Sequence, residues 1–201
     1  MQQYFTYLAL GDSYTIGEAL PITESFPYQA IQMMRKKGKN FTAPEIIAKT
    51  GWTTDELDHA IGKARLLEKY DFVTLLIGVN NQYRGREPLQ YNHEFEMLLK
   101  KAIGFAGKPS HVVVLSIPDY SVSPFAAEMN KEKISHEVDI FNNINKAVSL
   151  QYKTQYINIT PGSREALQDP SLLAHDKLHP SSKEYKKWAQ KLARKFEGLL
   201  K

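Results

Sequence analysis

Five apolar runs of strand length alternate along the chain with segments of helical period, and this alternation limits the fold more than any other feature. The runs are Phe5–Leu10, Pro44–Ala48, Phe72–Ile77, Val112–Ile117 and Tyr156–Ile159. Rich in β-branched and aromatic residues and poor in polar alternation, they predict strands covered on both faces, as in a parallel sheet. Between them, Leu57, Ile61, Ala64 and Leu67 share a helical face, as do Tyr91, Phe95, Leu98 and Ala102. Ile134, Val138, Phe141, Ile144 and Val148 form another stripe, and Tyr185, Trp188, Leu192, Phe196 and Leu199 a fourth. A weaker helix is expected over about residues 27–37. Thr53-x-x-Glu56 and Ser181-x-x-Glu184 read as capping boxes. Strand and helix repeated five times predict an open α/β sheet with right-handed crossovers. With 201 residues and no repeats, linkers or low-complexity tracts, the chain fits one domain spanning 1–201.

Composition narrows the chemistry. The chain has no cysteine, which excludes disulfides, thiolate metal sites and cysteine nucleophiles. The net charge of +4 is modest, and its basic residues gather at residues 35–39 and along the last helix, where a solvated helix face explains them. Nothing suggests nucleic-acid binding. No run is long enough to span a bilayer, and the first residues carry no basic leader. An intact intracellular protein is the simplest expectation, with export possible if a signal peptide has been removed.

In an open parallel sheet, ligands sit beyond the carboxyl ends of the strands. At those ends stand Gly11-Asp12-Ser13, Lys49-Thr50-Gly51-Trp52, Gly78-Val79-Asn80-Asn81 and Pro118-Asp119-Tyr120, with Asp176-Lys177-Leu178-His179-Pro180 ahead of the last helix. Acyl transfer needs these parts. A serine hydroxyl is a weak nucleophile until a neutral imidazole takes its proton. A carboxylate on the other ring nitrogen fixes the tautomer and stabilises the imidazolium. Asp176 and His179, three residues apart on one turn, have the spacing for that pair, and Pro180 stiffens the exit. Oxyanion donors are available in the Ser13 N–H, the Gly51 N–H and the Asn80 amide.

These four blocks, G-D-S, a lone glycine after the second strand, G-x-N after the third and D-x-x-H-P near the end, resemble in order and spacing the SGNH (GDSL-type) hydrolases. The resemblance spans nearly the whole chain. It implies a flavodoxin-like three-layer α/β/α sandwich with a five-stranded parallel sheet. It also implies Ser13 as nucleophile, His179 as base, Asp176 as its orienting acid, and Ser13, Gly51 and Asn80 as oxyanion hole. The implied activity is hydrolysis of carboxylic esters or thioesters, including lysophospholipids, short acyl esters and acetylated sugars, without metal or cofactor. The third block is usually G-x-N-D, whereas this chain has Asn81. An amide there replaces a charged acceptor and raises the question of how the loop carrying Ser13 is held.

The remaining candidates have plainer readings beside the functional ones. Asp12 is read as a turn residue bonding nearby backbone and is kept as a pocket candidate with Trp52, Tyr120 and Phe125, which either line an acyl pocket or cap the core. Gly78 is read as structural. His59 and His136 fall on polar helix sides, and His93, His111 and His175 receive no role. No metal-ligand spacing, G-x-S-x-G elbow, P-loop or G-x-G-x-x-G occurs. The segment Tyr83-Arg84-Gly85-Arg86 could meet a phosphate headgroup or a sugar acid. Within enzymes the rival is a carbohydrate O-acetylesterase. Outside them the rivals are a ligand-binding module that has lost turnover and a flavodoxin-like electron carrier. Oligomeric state is not legible.

Overall fold

A computed structural model of the protein describes residues 3–200. The expectation about a leader partly concerns Met1 and Gln2, which lie outside the described residues. Five strands, β1 (Tyr7–Asp12), β2 (Glu45–Lys49), β3 (Phe72–Leu76), β4 (Val112–Leu115) and β5 (Gln155–Ile157), form one parallel sheet in the order β2-β1-β3-β4-β5. The principal helices are α1 (Ser13–Ile16), α2 (Phe26–Lys36), α3 (Thr54–Lys63), α4 (Val79–Tyr83), α5 (Pro88–Ala106), α6 (Lys131–Gln151), α7 (Thr160–Arg164) and α8 (Ser182–Leu199). Helices α2 and α8 pack together, while α5 packs against α3 and α6, which gives the three layers. No helix among the described residues is long and apolar enough to cross a membrane.

The core follows from the apolar runs. Leu8, Ala9 and Leu10 of β1, Val73 and Leu75 of β3, and Val112–Val114 of β4 are all inaccessible to solvent. Each large apolar side chain buried this way contributes roughly 1.5–3 kcal/mol. Phe196 of α8 stacks on Phe72 at 4.2 Å between ring centroids and meets Tyr7 edge-on at 5.2 Å, fastening the last helix to the sheet. The two edge strands differ from the expectation of double coverage: β2 and most of β5 are half-buried, because an edge has a neighbour on one side only.

Several boundaries also move. Strand β1 continues through Gly11 and Asp12, which pair with Ala48 and Lys49 of β2. Gly11 permits this because a Cβ there would stand 2.4 Å from the Leu76 carbonyl oxygen and 2.1 Å from Thr15 Oγ1. Strand β5 stops at Ile157, since the Ser116 hydroxyl accepts the Ile159 and Thr160 N–H groups and turns the chain into α7. Helix α3 ends at Lys63, so Leu67 leaves its predicted stripe and is exposed while Leu66 packs on the core. The Tyr70 hydroxyl accepts the Leu67 N–H and takes the chain off the helical path.

Of the two predicted capping boxes, only that of Thr53 and Glu56 forms, with Glu56 accepting the Thr53 N–H at 2.9 Å. At the head of α8 the Ser181 hydroxyl instead donates to the Ser171 carbonyl. Glu184 is buried and accepts from Trp188 Nε1 at 2.8 Å.

The register places the site. Asp12 is level with Lys49 of β2, and Gly11 is level with Leu76 of β3. The loops that begin at Ser13, Thr50 and Ile77 therefore leave the sheet side by side. They lie where the chain, having gone from β1 to β2, crosses back to β3, the switch point at which open α/β sheets bind ligands.

Candidate active site

Ser13 opens α1 and is 4% exposed. As the first helical residue its N–H has no intrahelical acceptor. Asp12 caps this helix, its Oδ1 accepting the Tyr14 N–H at 3.0 Å. The expectation of Asp12 as a turn residue bonding nearby backbone matches this contact. Asp12 is fully buried, and burial pushes its pKa up to about 7 against the opposing hydrogen bonds from Tyr14 and Asn80.

The turn after β5 and α7 brings His179 to Ser13. Leu173 and Pro180 pair as an isolated antiparallel bridge, closing the segment between them into a tight reversal. Lys177 takes a positive φ of 58° in that reversal. Asp176 Oδ1 accepts the N–H groups of Leu178 and His179, each at 3.0 Å, and its Oδ2 lies 2.6 Å from His179 Nδ1. Partial burial works against ionisation of Asp176, but the His179 ring and these two amides hold its pKa below the usual carboxylate range. An ionised carboxylate only accepts, so Nδ1 faces it as a donor, and the neutral ring then turns a lone pair on Nε2 toward Ser13. That Nε2 is 3.0 Å from Ser13 Oγ. The ring also packs on Tyr14, at 5.0 Å between centroids. A hydroxyl, an imidazole and a carboxylate thus stand in line, a geometry that can relay a proton.

Asn80 lies on α4, directly after β3. Its Nδ2 donates to the Trp52 carbonyl at 3.0 Å and to Asp12 Oδ2 at a longer 3.4 Å. Gly51 stands in the loop after β2 with φ +83°, a conformation that favours glycine.

Asn81 does something other than hold the Ser13 loop. Fully buried, it accepts the Thr54 N–H through Oδ1 at 3.1 Å and donates to the Thr54 hydroxyl through Nδ2 at 2.6 Å. The Thr54 hydroxyl in turn donates to Glu94. Asn81 therefore anchors the start of α3 and, with it, the loop carrying Gly51. The amide suits this position because it supplies both an acceptor and a donor.

A cleft of about 90 Å³ opens beside Ser13, Asn80 and His179. Its walls are Tyr14, Val79, Tyr83, Tyr120, Phe125 and Leu178, and no charged side chain lines it. Tyr120 and Phe125 line this cleft; Phe125 is exposed at 43%, while Tyr120 is buried and also belongs to the core. Trp52 does not line this cleft. Its side chain packs on the core beside Asp55, Glu56 and His59 of α3, as the other reading had it, and its carbonyl meets Asn80. Tyr14, Val79 and Leu178 went unassigned in the sequence, although each is next to a named site residue, and Tyr83 was named only as part of the segment that could meet a headgroup or a sugar acid. Arg84 and Arg86, in the segment read as able to meet a phosphate headgroup or a sugar acid, pair with Glu56 and Asp55 at 3.3 and 3.2 Å.

The loop that carries Tyr120 and Phe125 is fixed by Asp119. This buried carboxylate accepts from the Ser121 N–H at 2.9 Å, the Ser135 hydroxyl at 2.7 Å and Arg164 Nε at 2.8 Å. Burial raises its pKa, but those donors outweigh burial and hold it below the usual value of 3.8. A depressed folded-state pKa gives stability that is present above the unfolded value and lost as pH falls through the folded one. Asp119→Asn is therefore expected to lower stability by roughly 2–4 kcal/mol at pH 7. Its difference from the wild type should narrow progressively below about pH 4 in denaturant titrations.

The model of the GDSL-like Lipase/Acylhydrolase family matches residues 9–187. The chain belongs to this family. It is accordingly a serine-type carboxylic ester hydrolase, and the four sequence blocks all fall at or within the matched span. Solved structures share the GDSL-like fold at low identity. The lipase/acylhydrolase from Enterococcus faecalis superposes with a TM-score of 0.76 at 18% identity, covering 96% of both chains. TesA gives 0.74 at 17%, covering 98% of this chain and 99% of its own. Axe2, an acetylxylan esterase from Geobacillus stearothermophilus, gives 0.74 at 15%, covering 95% and 93%. No curated protein matches the sequence.

Proposed function

We propose that Ser13 is the nucleophile of a short-acyl esterase, with His179 as general base and Asp176 as its orienting acid. The observation that carries this reading is the pair of contacts at His179, 3.0 Å from Ser13 Oγ on one nitrogen and 2.6 Å from Asp176 on the other. Ser13 Oγ attacks the ester carbonyl carbon while its proton passes to Nε2. The resulting oxyanion is held by the Ser13 and Gly51 N–H groups and by Asn80 Nδ2, whose loose 3.4 Å contact with Asp12 leaves that proton available. Collapse expels the alcohol, which takes the proton from His179. Water, activated by the same imidazole, then releases the acid from Ser13 and restores the enzyme. Asn80→Ala should lower kcat by about 10²–10³ with KM within a few-fold, because its bond tightens only as charge develops. An unchanged kcat would reassign Asn80 to loop support.

The cleft supports a short acyl group. Its volume of about 90 Å³ is smaller than an apolar cavity of about 150 Å³ that takes benzene, and its walls are uncharged. A lysophospholipid reading draws less support from Arg84 and Arg86, since both are paired with carboxylates. A second reading, removal of acetyl groups from carbohydrate, draws support from the exposed rings of Tyr83 and Phe125, 6.0 Å apart beside the cleft. Such faces suit stacking on a sugar. Similarity to an acetylxylan esterase is consistent with this but concerns fold alone. A p-nitrophenyl ester series, run beside lysophosphatidylcholine and an acetylated xylo-oligosaccharide, tests both. The expected kcat/KM peaks between acetate and butyrate and drops at least tenfold by octanoate. A maximum at octanoate or longer would overturn the short-acyl assignment.

A further inference from the structure

We infer that Arg84 is a positioning residue that joins the two loop-borne oxyanion donors, Gly51 and Asn80, into one rigid unit. The inference rests on the site assignment proposed above. Arg84 is the residue that ends α4, the helix that carries Asn80. Its Nη2 reaches across to donate to the Gly51 carbonyl at 2.6 Å. Its Nη1 pairs with Glu56 at 3.3 Å, the same carboxyl group that caps α3 by accepting the Thr53 N–H.

Gly51 needs such a tether. Its φ of +83° is a conformation that a glycine can also leave at little steric cost. Apart from its chain neighbours, the one heavy atom among the described residues within 4 Å of where a Cβ would stand is Arg84 Nη2, at 3.6 Å. No other side chain packs at that point, and the remaining local restraint is the turn that the Trp52 N–H closes onto the Lys49 carbonyl at 3.2 Å. The carbonyl contact to Arg84 fixes the ψ side of Gly51, and so the direction of its N–H relative to the site. The second tie runs the same way, from Asn80 Nδ2 to the carbonyl of Trp52, the next residue. A hydrogen bond from a charged donor to a backbone carbonyl is stronger than a neutral one. The ion pair with Glu56, half-exposed on both sides, adds little by itself. The carbonyl contact is therefore the part that matters. Arg86 offers an internal comparison, for it pairs with Asp55 and has no bond to Gly51.

Misplacing one preorganised donor by about 1 Å costs up to about 10²-fold in rate, less than deleting it. Arg84→Ala is accordingly expected to lower kcat on p-nitrophenyl acetate by about ten- to thirtyfold with KM within twofold. It should slow inactivation by a fluorophosphonate by a similar factor, because the phosphoryl oxygen uses the same donors. Arg86→Ala should leave both rates unchanged. Should Arg84→Ala fail to fold, Arg84→Lys and Arg84→Met decide, since lysine retains a donor and methionine only an apolar stem. About a tenfold kcat advantage for lysine is expected, and equal values contradict the inference. So does a kcat within twofold of wild type in Arg84→Ala, a rise in KM alone, or an equal loss in Arg86→Ala. A fully active Ser13→Ala control would instead sink the underlying site assignment. An inactive control beside a normal Arg84→Ala would sink only the role of Arg84.

Discussion

Ser13→Ala is expected to lower hydrolysis of p-nitrophenyl acetate by about four to six orders of magnitude. The proposed mechanism forms its covalent bond at this one oxygen, so the loss is in kcat rather than in KM. Stability should change by less than about 1 kcal/mol. Ser13 Oγ has His179 as its hydrogen-bond partner, while the backbone of residue 13 keeps its role, its carbonyl accepting the Gly17 and Glu18 N–H groups that close α1. Thermal unfolding beside steady-state kinetics checks both halves. A variant that retains turnover would remove Ser13 from the chemistry and return it to the role of a helix-opening serine.

The second large effect is at Asp176. Asp176→Asn should cost about 10⁴-fold in kcat with little change in KM. The physical reason is specific to this turn. Two backbone N–H groups, from Leu178 and His179, both point at Oδ1. They hold the asparagine carbonyl oxygen in that place and so direct its NH₂ toward His179 Nδ1, where Oδ2 now stands. Two donors cannot face each other. The imidazole must then carry its proton on Nε2 and meet Ser13 with a donor instead of an acceptor, so it can no longer take the hydroxyl proton. Asp176→Ala, which imposes no tautomer, should be less damaging than Asp176→Asn. Equal and small losses in both variants would show that the carboxylate serves the turn rather than the imidazole.

The sheet was legible in the sequence because its central strands are continuous apolar runs, a pattern that buried parallel strands share and few other elements do. The edges were less so. Strand β5 ends early for a reason that lies forty residues away, in the Ser116 hydroxyl that captures the Ile159 and Thr160 amides. Leu67 leaves its stripe for a nearer reason, the hydroxyl of Tyr70 three residues on, which takes its N–H. The Ser181 capping box failed because its glutamate serves the Trp188 indole instead. Periodicity does not show which of several available partners a polar side chain takes.

In the site, Ser13 was legible at a strand end and Asp176 and His179 as a pair ahead of the last helix, and the fold sets His179 3.0 Å from Ser13 Oγ and 2.6 Å from Asp176 Oδ2. Asn81 and Arg84 were not. Each acts through a contact made across two loops, with Thr54 in one case and the Gly51 carbonyl in the other. A basic residue in a loop reads as a surface charge until the fold supplies the carbonyl that it holds. Trp52 shows the reverse: a large aromatic ring at a strand end suggests a pocket wall, yet it is the backbone oxygen that takes part.

The most direct measurement is covalent. A fluorophosphonate probe incubated with the wild type, with His179→Ala and with Ser13→Ala, followed by intact-mass analysis and peptide mapping, reports which oxygen is activated and by what. One adduct per chain on Ser13 is expected, slowed by at least 10³-fold in His179→Ala and absent in Ser13→Ala. Labelling at another residue, or at Ser13 at an undiminished rate without the imidazole, would contradict the account.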